Sequence, residues 1–432
     1  MFKLGYNFLA GLQVVVGIAN TFVIVYALGI SNKADAYLLA MSITQATGLL
    51  TVLFVEQVVI FYAEAQEKNK ELASLFAGNA ITIAILAGGI FAISLVLLPS
   101  TWTHLFASSA GAETISFTDK MLPILAVAVF CQSICVVLNG LLNVHKIYAW
   151  PYITSIIPSV TTLVGIFALV QYKKYDPLGL AAPFSAGVTI QLLLLTILLK
   201  KNHITLRWTG LHPDTVHFVK NSFTMRLAHN FHQFFSLLII NTFLSGFAQG
   251  SIALFQYARR AVSAVSMIAT GPINNIYTSE IAEKLSLKDG QGIIRNKKKY
   301  HLAVLPLFLI GSLILIPLLP YVIRLVVQHQ VSEDDLELLR WLSTALVIWN
   351  FIIAAETPYV TITVAAKRSY TLMMVNATFM LTFWMLSRFL TARLGAVGLP
   401  AAGAIAQIIS ILVFAYLSRK ILTDLEIKNA LI

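Results

Sequence analysis

Along this chain, apolar residues come in long runs and polar residues gather in short stretches between them. Twelve runs can be placed, at 4–29, 36–65, 72–99, 116–143, 148–171, 178–199, 217–246, 251–282, 301–326, 336–365, 368–391 and 396–418. Each is long enough to cross a hydrocarbon core of about 30 Å as a helix. Lipid offers the backbone no hydrogen-bond partner, so a segment inside it must satisfy its own N–H and C=O groups, which a helix does. The runs are too apolar and too continuous for barrel strands. The predicted fold is an all-α polytopic membrane protein of about twelve transmembrane helices. Pro123, Pro151, Pro158, Pro272, Pro306, Pro317, Pro358 and Pro400 interrupt several runs. Inside a membrane such prolines bend helices without ending them.

Composition agrees with the pattern. Hydrophobic residues make up 58% of the 432 and charged residues 11%, against about 25% charged in soluble proteins. The first run spans Leu4 to Gly29 and lacks a small-residue cleavage site, so it is expected to remain as a span. Cys131 and Cys135 lie four apart in the fourth run and are read as packing residues.

The net charge of +11 does not point to nucleic acid, because the basic residues sit between apolar runs. Of the 30 Lys and Arg residues, Lys120, Arg226, Arg259 and Arg260 fall within runs. With the N-terminus inside, 7 lie on the outer side (Lys33, Lys173, Lys174, Arg324, Arg340, Arg388 and Arg393) and the other 19 on the inner side. This asymmetry predicts both termini in the cytoplasm.

The chain also repeats itself. Asn20-Thr21-Phe22 returns as Asn241-Thr242-Phe243, and Lys146-Ile147-Tyr148 as Arg368-Ser369-Tyr370. Leu178-Gly179-Leu180-Ala181-Ala182 returns as Val397-Gly398-Leu399-Pro400-Ala401-Ala402, and Lys200-Lys201 as Arg419-Lys420. Each match falls at the same place in the helix count. The reading is two six-helix lobes, 1–205 and 217–432, joined by a basic linker at 206–216. Equal numbers of spans make this a parallel pseudo-twofold repeat, a plan common among transporters.

Polar groups inside spans are costly, about 2.5–3.5 kcal/mol for a central charge, and face a bundle interior or a wet cavity. In span 7, Ser222, Arg226, Asn230, Gln233 and Asn241 fall within one stripe about 100° wide. In span 8, Gln256, Arg260, Ser263 and Asn274 form another, with Arg259 beside it. Gln13 and Asn20 share a face of span 1, as do Gln45 and Glu56 in span 2. Glu356 stands alone in span 10. These residues are the candidate walls of a water-lined pathway, with interhelical hydrogen bonding as the plainer role for the amides. An ion pair to a neighbouring helix is the plainer role for each Glu. His229 and His232 supply too few ligands for a metal, and none is expected. Ser332 with Asp335 reads as a capping box opening span 10. The bases from Lys284 to Lys299 are read mainly as topology signals, with anionic lipid headgroups as an alternative.

Several of these segments resemble the MviN/MurJ-type lipid flippases of the MOP exporter superfamily. They are Gly29-Ile30-Ser31-Asn32-Lys33-Ala34-Asp35-Ala36-Tyr37-Leu38-Leu39-Ala40, Asn139-Gly140-Leu141-Leu142-Asn143 with Tyr148-Ala149-Trp150-Pro151, and Gln256-Tyr257-Ala258-Arg259-Arg260. The chain departs from that group in lacking arginine in spans 1 and 2 and in having twelve spans where fourteen are usual. An O-antigen-type flippase of the same superfamily is the neighbouring reading. The resemblance implies two lobes around a central cavity, alternating access, and a lipid-linked (undecaprenyl-pyrophosphate) sugar as substrate. It also implies importance for Asp35 and Arg260.

On that basis Arg226 with Arg260 or Arg259 would hold the pyrophosphate. Asn230, Gln233, Asn241, Gln256, Gln13, Asn20 and Gln45 would hold the sugars, while Asp35, Glu56 and Glu356 would couple or gate. No cofactor is expected, only coupling to Na+ or H+ and to the membrane potential. The expected partners are the anionic substrate and membrane lipids, with no nucleic acid, for a monomer in a bacterial-type inner membrane. A MATE-like multidrug cation antiporter is the alternative within the superfamily. A membrane glycan polymerase or ligase is the alternative outside it, and is disfavoured because no predicted loop is large enough for a catalytic constellation.

Overall fold

The computed structural model describes residues 2–52, 62–63, 65–66, 69–147, 149–172, 176–207, 232–327, 331–366 and 368–430. Among these residues every regular element is helical. The helices are α1 (Phe2–Leu28), α2 (Asn32–Val52), α3 (Lys70–Leu97), α4 (Pro99–Ala107), α5 (Ala112–Val144), α6 (Ala149–Tyr172) and α7 (Pro177–Lys201). They continue as α8 (His232–Leu244), α9 (Ser251–Ser286), α10 (Gly290–Val327), α11 (Glu333–Ala365), α12 (Ser369–Leu394) and α13 (Gly398–Ala430). Every predicted span has a helix at its place. For the second, the helix is described as far as Val52, and for the seventh only the part from His232 lies within the described residues.

Three elements differ from the sequence reading. The short helix α4 was not expected, and neither was the 3-10 turn Gly395–Val397. Helix α10 begins at Gly290 rather than 301. Asp289 starts it there, because its Oδ1 accepts the Gly292 N–H at 2.8 Å while its Oδ2 pairs with Lys284 Nζ at 3.1 Å. A charged stretch that reads as a loop is therefore a continuation of the transmembrane helix.

Local chemistry sets other boundaries. Asn69 Oδ1 accepts the Glu71 N–H at 2.9 Å at the start of α3. Asp176 Oδ1 accepts the Gly179 N–H at 2.6 Å at the start of α7, where Pro177 gives up no needed donor. The predicted capping box is present: Ser332 Oγ accepts the Asp335 N–H at 3.1 Å, and Asp335 Oδ2 accepts the Ser332 N–H at 3.3 Å.

The described chain forms two compact units, Met1–Ile252 and Ala253–Ile432. In the first, α5 is the hub, packing against α2, α3, α4 and α7, while α6 lies between α7 and α1. In the second, α11 packs on α10 and α13, and α13 also packs on α12. Counted as spans, the closest neighbours in each unit are the fourth with the sixth and the fifth with the sixth, followed by the third with the fourth. The repeat read from short motifs is thus also a repeat of packing. Close approach within a unit relies on small residues. At Gly187 of α7, a Cβ would lie 2.6 Å from Pro158 Cα and 2.0 Å from Thr161 Oγ1 of α6.

Eight stretches among the described residues are long and apolar enough to cross a membrane, one of them (370–424) comprising both α12 and α13. Their outer faces carry large apolar side chains such as Ile90 and Leu313, a distribution that suits lipid. Helices α2 and α9 fall outside that set. They carry Gln45 and the Gln256–Arg259–Arg260 group, residues that belong against protein or water.

Candidate functional site

In the first unit the polar groups converge on Asp35. Helix α1 ends at Gly29, with φ of 58°, and Ser31 Oγ caps α2 by accepting the Ala34 N–H at 3.2 Å. Asp35 follows in the first turn of α2 and is buried. Its Oδ2 accepts the Gly250 N–H at 2.7 Å. Gly250 has φ of +88°, and a Cβ there would lie 2.1 Å from Ile30 Cγ2, so the approach depends on glycine. Around this contact a cavity of about 200 Å³ is lined by Asn32, Asp35, Ser109, Thr114, Ser245 and Gln249, among others. Asn32 Nδ2 donates to Glu113 Oε2 at 2.7 Å. Nearby, α4 is tied to α5 by Ser100 and Thr103, which donate to the two oxygens of Asp119 at 2.6 and 2.5 Å.

The remaining candidates of this unit are spread along α1, α2 and α8. Gln13 and Asn20 are half-buried, while Gln45 and Gln233 are exposed. Asn241 is fully buried, and its Nδ2 donates to Leu237 O at 2.8 Å. Asn20 and Asn241 hold the same place in the two repeats, and in both the Oδ1 is buried without a hydrogen-bond partner. A buried acceptor left open at both repeats suits a water or a ligand hydroxyl. Ser222, Arg226, His229, Asn230 and Glu56 lie outside the described residues.

In the second unit, Gln256 is buried near the start of α9, and Arg259 and Arg260 are half-buried one turn later. Among the described residues, neither arginine makes an ion pair. Two adjacent guanidiniums inside a helix, without an acid, form an anion-seeking group.

Glu356 of α11 is buried. Its ion-pair expectation is corrected. One oxygen accepts Ser410 Oγ at 2.5 Å and the other accepts Gln407 Nε2, both from α13. Trp349 Nε1 in turn donates to Gln407 Oε1 at 3.3 Å. Among the described residues, the Glu356 carboxylate is held by neutral donors alone. Sequence reasoning missed Gln407 and Ser410. Their signal was two polar residues three apart in an otherwise apolar run. It also missed a cluster formed where α9, α10 and α11 meet. There Tyr300 OH donates to Asn274 Oδ1 at 2.6 Å, the Tyr277 and Tyr300 rings lie 4.8 Å apart, and Lys297 sits 4.9 Å over the Tyr359 ring. No group of metal-ligating residues occurs among the described residues.

Repeated six-helix packing, with cationic and amide groups set inside the helices, is the architecture of a membrane transporter. Solved structures agree. A multidrug resistance MATE family transporter of the MOP superfamily, in an inward-facing conformation, matches with a TM-score of 0.80 and 14% identity, covering 96% of this chain and 95% of that one. Lipid II flippase MurJ in an inward closed conformation matches with a TM-score of 0.79 and 18% identity, covering 99% of this chain and 90% of that one. At such identities the likeness establishes the fold. The family is established by sequence: the model of the lipid II flippase MurJ family matches residues 24–431, and the chain belongs to that family. Lipid II flippase MurJ of Thermosipho africanus (strain TCF52B) is 25% identical over 157 residues. That match covers 34% of this chain and only 31% of the relative's length. Family and helices together make the chain a multi-pass membrane protein.

Proposed function

We propose that this chain moves a lipid-linked, pyrophosphate-bearing glycan precursor, of the lipid II kind, across a bacterial cytoplasmic membrane. The observation that carries the reading is the pair Arg259–Arg260, half-buried in a helix too polar for lipid and without an acid partner among the described residues. Dragging a pyrophosphate through hydrocarbon is prohibitive. A cavity open to the bilayer lets the polyprenyl tail stay in lipid while the head crosses inside the protein. Arg260, with Arg259 and Arg226, holds the pyrophosphate by charge-assisted hydrogen bonds. Asn20 and Asn241 present open Oδ1 acceptors for sugar hydroxyls, together with Gln13, Gln45, Asn230, Gln233 and Gln256.

In this reading lobes 1–205 and 217–432, joined by the linker 206–216, alternate access, with both termini in the cytoplasm. The Asp35–Gly250 contact then ties the outer end of α2 to the segment before α9 within the first unit. Glu356, with Glu56, couples movement to H+ or Na+. The membrane potential contributes about 2.3 kcal/mol per outward-moving negative charge per 100 mV. The protein works as a monomer and needs no cofactor. Expression in cells depleted of their own lipid II flippase tests the reading: restored growth without accumulation of lipid-linked precursor is expected, and undiminished accumulation contradicts it.

A multidrug antiporter is the second reading, supported by an equally good structural match to the MATE fold. Cationic drugs want an acidic binding wall, and the arginines of α9 are the reverse. Efflux of a cationic dye, with no effect on precursor levels, would favour it.

A further inference from the structure

We propose that the first three turns of α10 form a binding site for anionic phospholipid headgroups. Helix α10 has 38 residues, about 57 Å at 1.5 Å per residue, far more than the hydrocarbon core requires. Its buried face is formed by Ile293, Tyr300, Val304 and Phe308. On the opposite side, at 100° per residue, Arg295, Lys298, Lys299, Leu302, Leu309 and Leu313 fall within an arc about 100° wide.

The apolar half of that arc is a lipid-like surface, with Leu302 67% and Leu313 72% exposed. The three cations continue it directly and are themselves exposed. Arg295 lies about 10 Å beyond Leu302 along the axis and Lys299 about 5 Å, a span that matches the headgroup layer of a bilayer.

Among the described residues, none of the three cations makes an ion pair. The nearest acid in sequence, Asp289, is engaged by Lys284 and by the Gly292 N–H. A basic face without an ion pair, in register with a lipid-facing stripe, fits a phosphate that belongs to the lipid beneath it. Lys297, by contrast, points away from the arc and lies over Tyr359. The site is separate from the candidate transport residues on α9 and α11, and its test is a binding measurement independent of flipping.

The test uses the purified full chain reconstituted in nanodiscs containing equal amounts of phosphatidylglycerol and phosphatidylethanolamine. The lipid retained after detergent extraction is quantified. The wild type should retain phosphatidylglycerol preferentially, and the preference should fall several-fold at about 0.5 M salt, where screening is strong. The R295Q/K298Q/K299Q variant should lose the preference, with unchanged phosphatidylethanolamine retention and an unchanged melting temperature. A K200Q/K201Q control should keep it. Equal retention of the two lipids by the wild type, a preference insensitive to salt, or an unaltered preference in the folded triple variant would overturn the proposal. The salt arm decides the matter on the unmodified chain if the triple variant does not fold.

Discussion

The Asp35 carboxylate accepts a 2.7 Å hydrogen bond from the Gly250 N–H, joining the first turn of α2 to a residue 215 positions later. Both ends of the contact are constrained, Asp35 by burial and Gly250 by its positive φ and the Ile30 side chain against it. Asp35→Ala removes a hydrogen bond to a charged acceptor, about 1.5–3 kcal/mol. Gly250→Ala imposes strain of about 1–3 kcal/mol. Each should lower the melting temperature of the detergent-purified protein, and the double variant should lose less than the sum of the two. Strict additivity would show that the two residues do not act as one contact.

Glu356 makes a different kind of prediction. Its partners are all donors, so Glu356→Gln turns one NH₂ toward another donor and should cost about 1–3 kcal/mol of stability. The transport rate in this variant should no longer depend on pH if Glu356 carries the coupling proton. A pH profile measured in proteoliposomes that matches the wild type would remove Glu356 from the coupling role.

His145, in the turn after α5, lies 3.0 Å from the Tyr62 hydroxyl through Nε2. Burial pushes its pKa below the ordinary 6.5, and a neutral ring can accept the phenol proton. A histidine held neutral in the fold supports stability above its unfolded pKa, and that support is lost as pH falls through the folded pKa. Melting temperature should therefore decline below about pH 6.5. His145→Gln should show a shallower decline over the same window, and equal slopes would refute the assignment.

The twelve spans were legible because lipid forces each crossing to be a long apolar run, and the repeat was legible because Asn20 and Asn241 sit in matching tripeptides. Their shared condition, a buried Oδ1 without a partner, confirms that the matched positions also share an environment. What was hidden depends on packing. Glu356 meets Gln407 and Ser410 from 51 and 54 positions away, and the spacing of residues on one helix does not disclose which face of another will oppose it. The start of α10 was hidden because a charged first turn looks like a loop. Only the geometry of Asp289 with Gly292 and Lys284 shows that the helix begins there. The α4 helix lay in a stretch too short to read as a span.

If arginines on α9 hold the pyrophosphate of a lipid-linked precursor, removing them slows its passage across the bilayer. Purified protein is reconstituted in proteoliposomes with fluorescent lipid II, and the rate at which the headgroup changes leaflet is recorded under an imposed potential. Wild type should accelerate translocation, and Arg260→Ala should slow it about tenfold or more, the equivalent of one charge-assisted hydrogen bond. Arg259→Ala should slow it to a lesser degree, with both variants correctly folded and inserted. Wild-type rates in both folded variants, or no acceleration by the wild type over protein-free vesicles, would contradict the account.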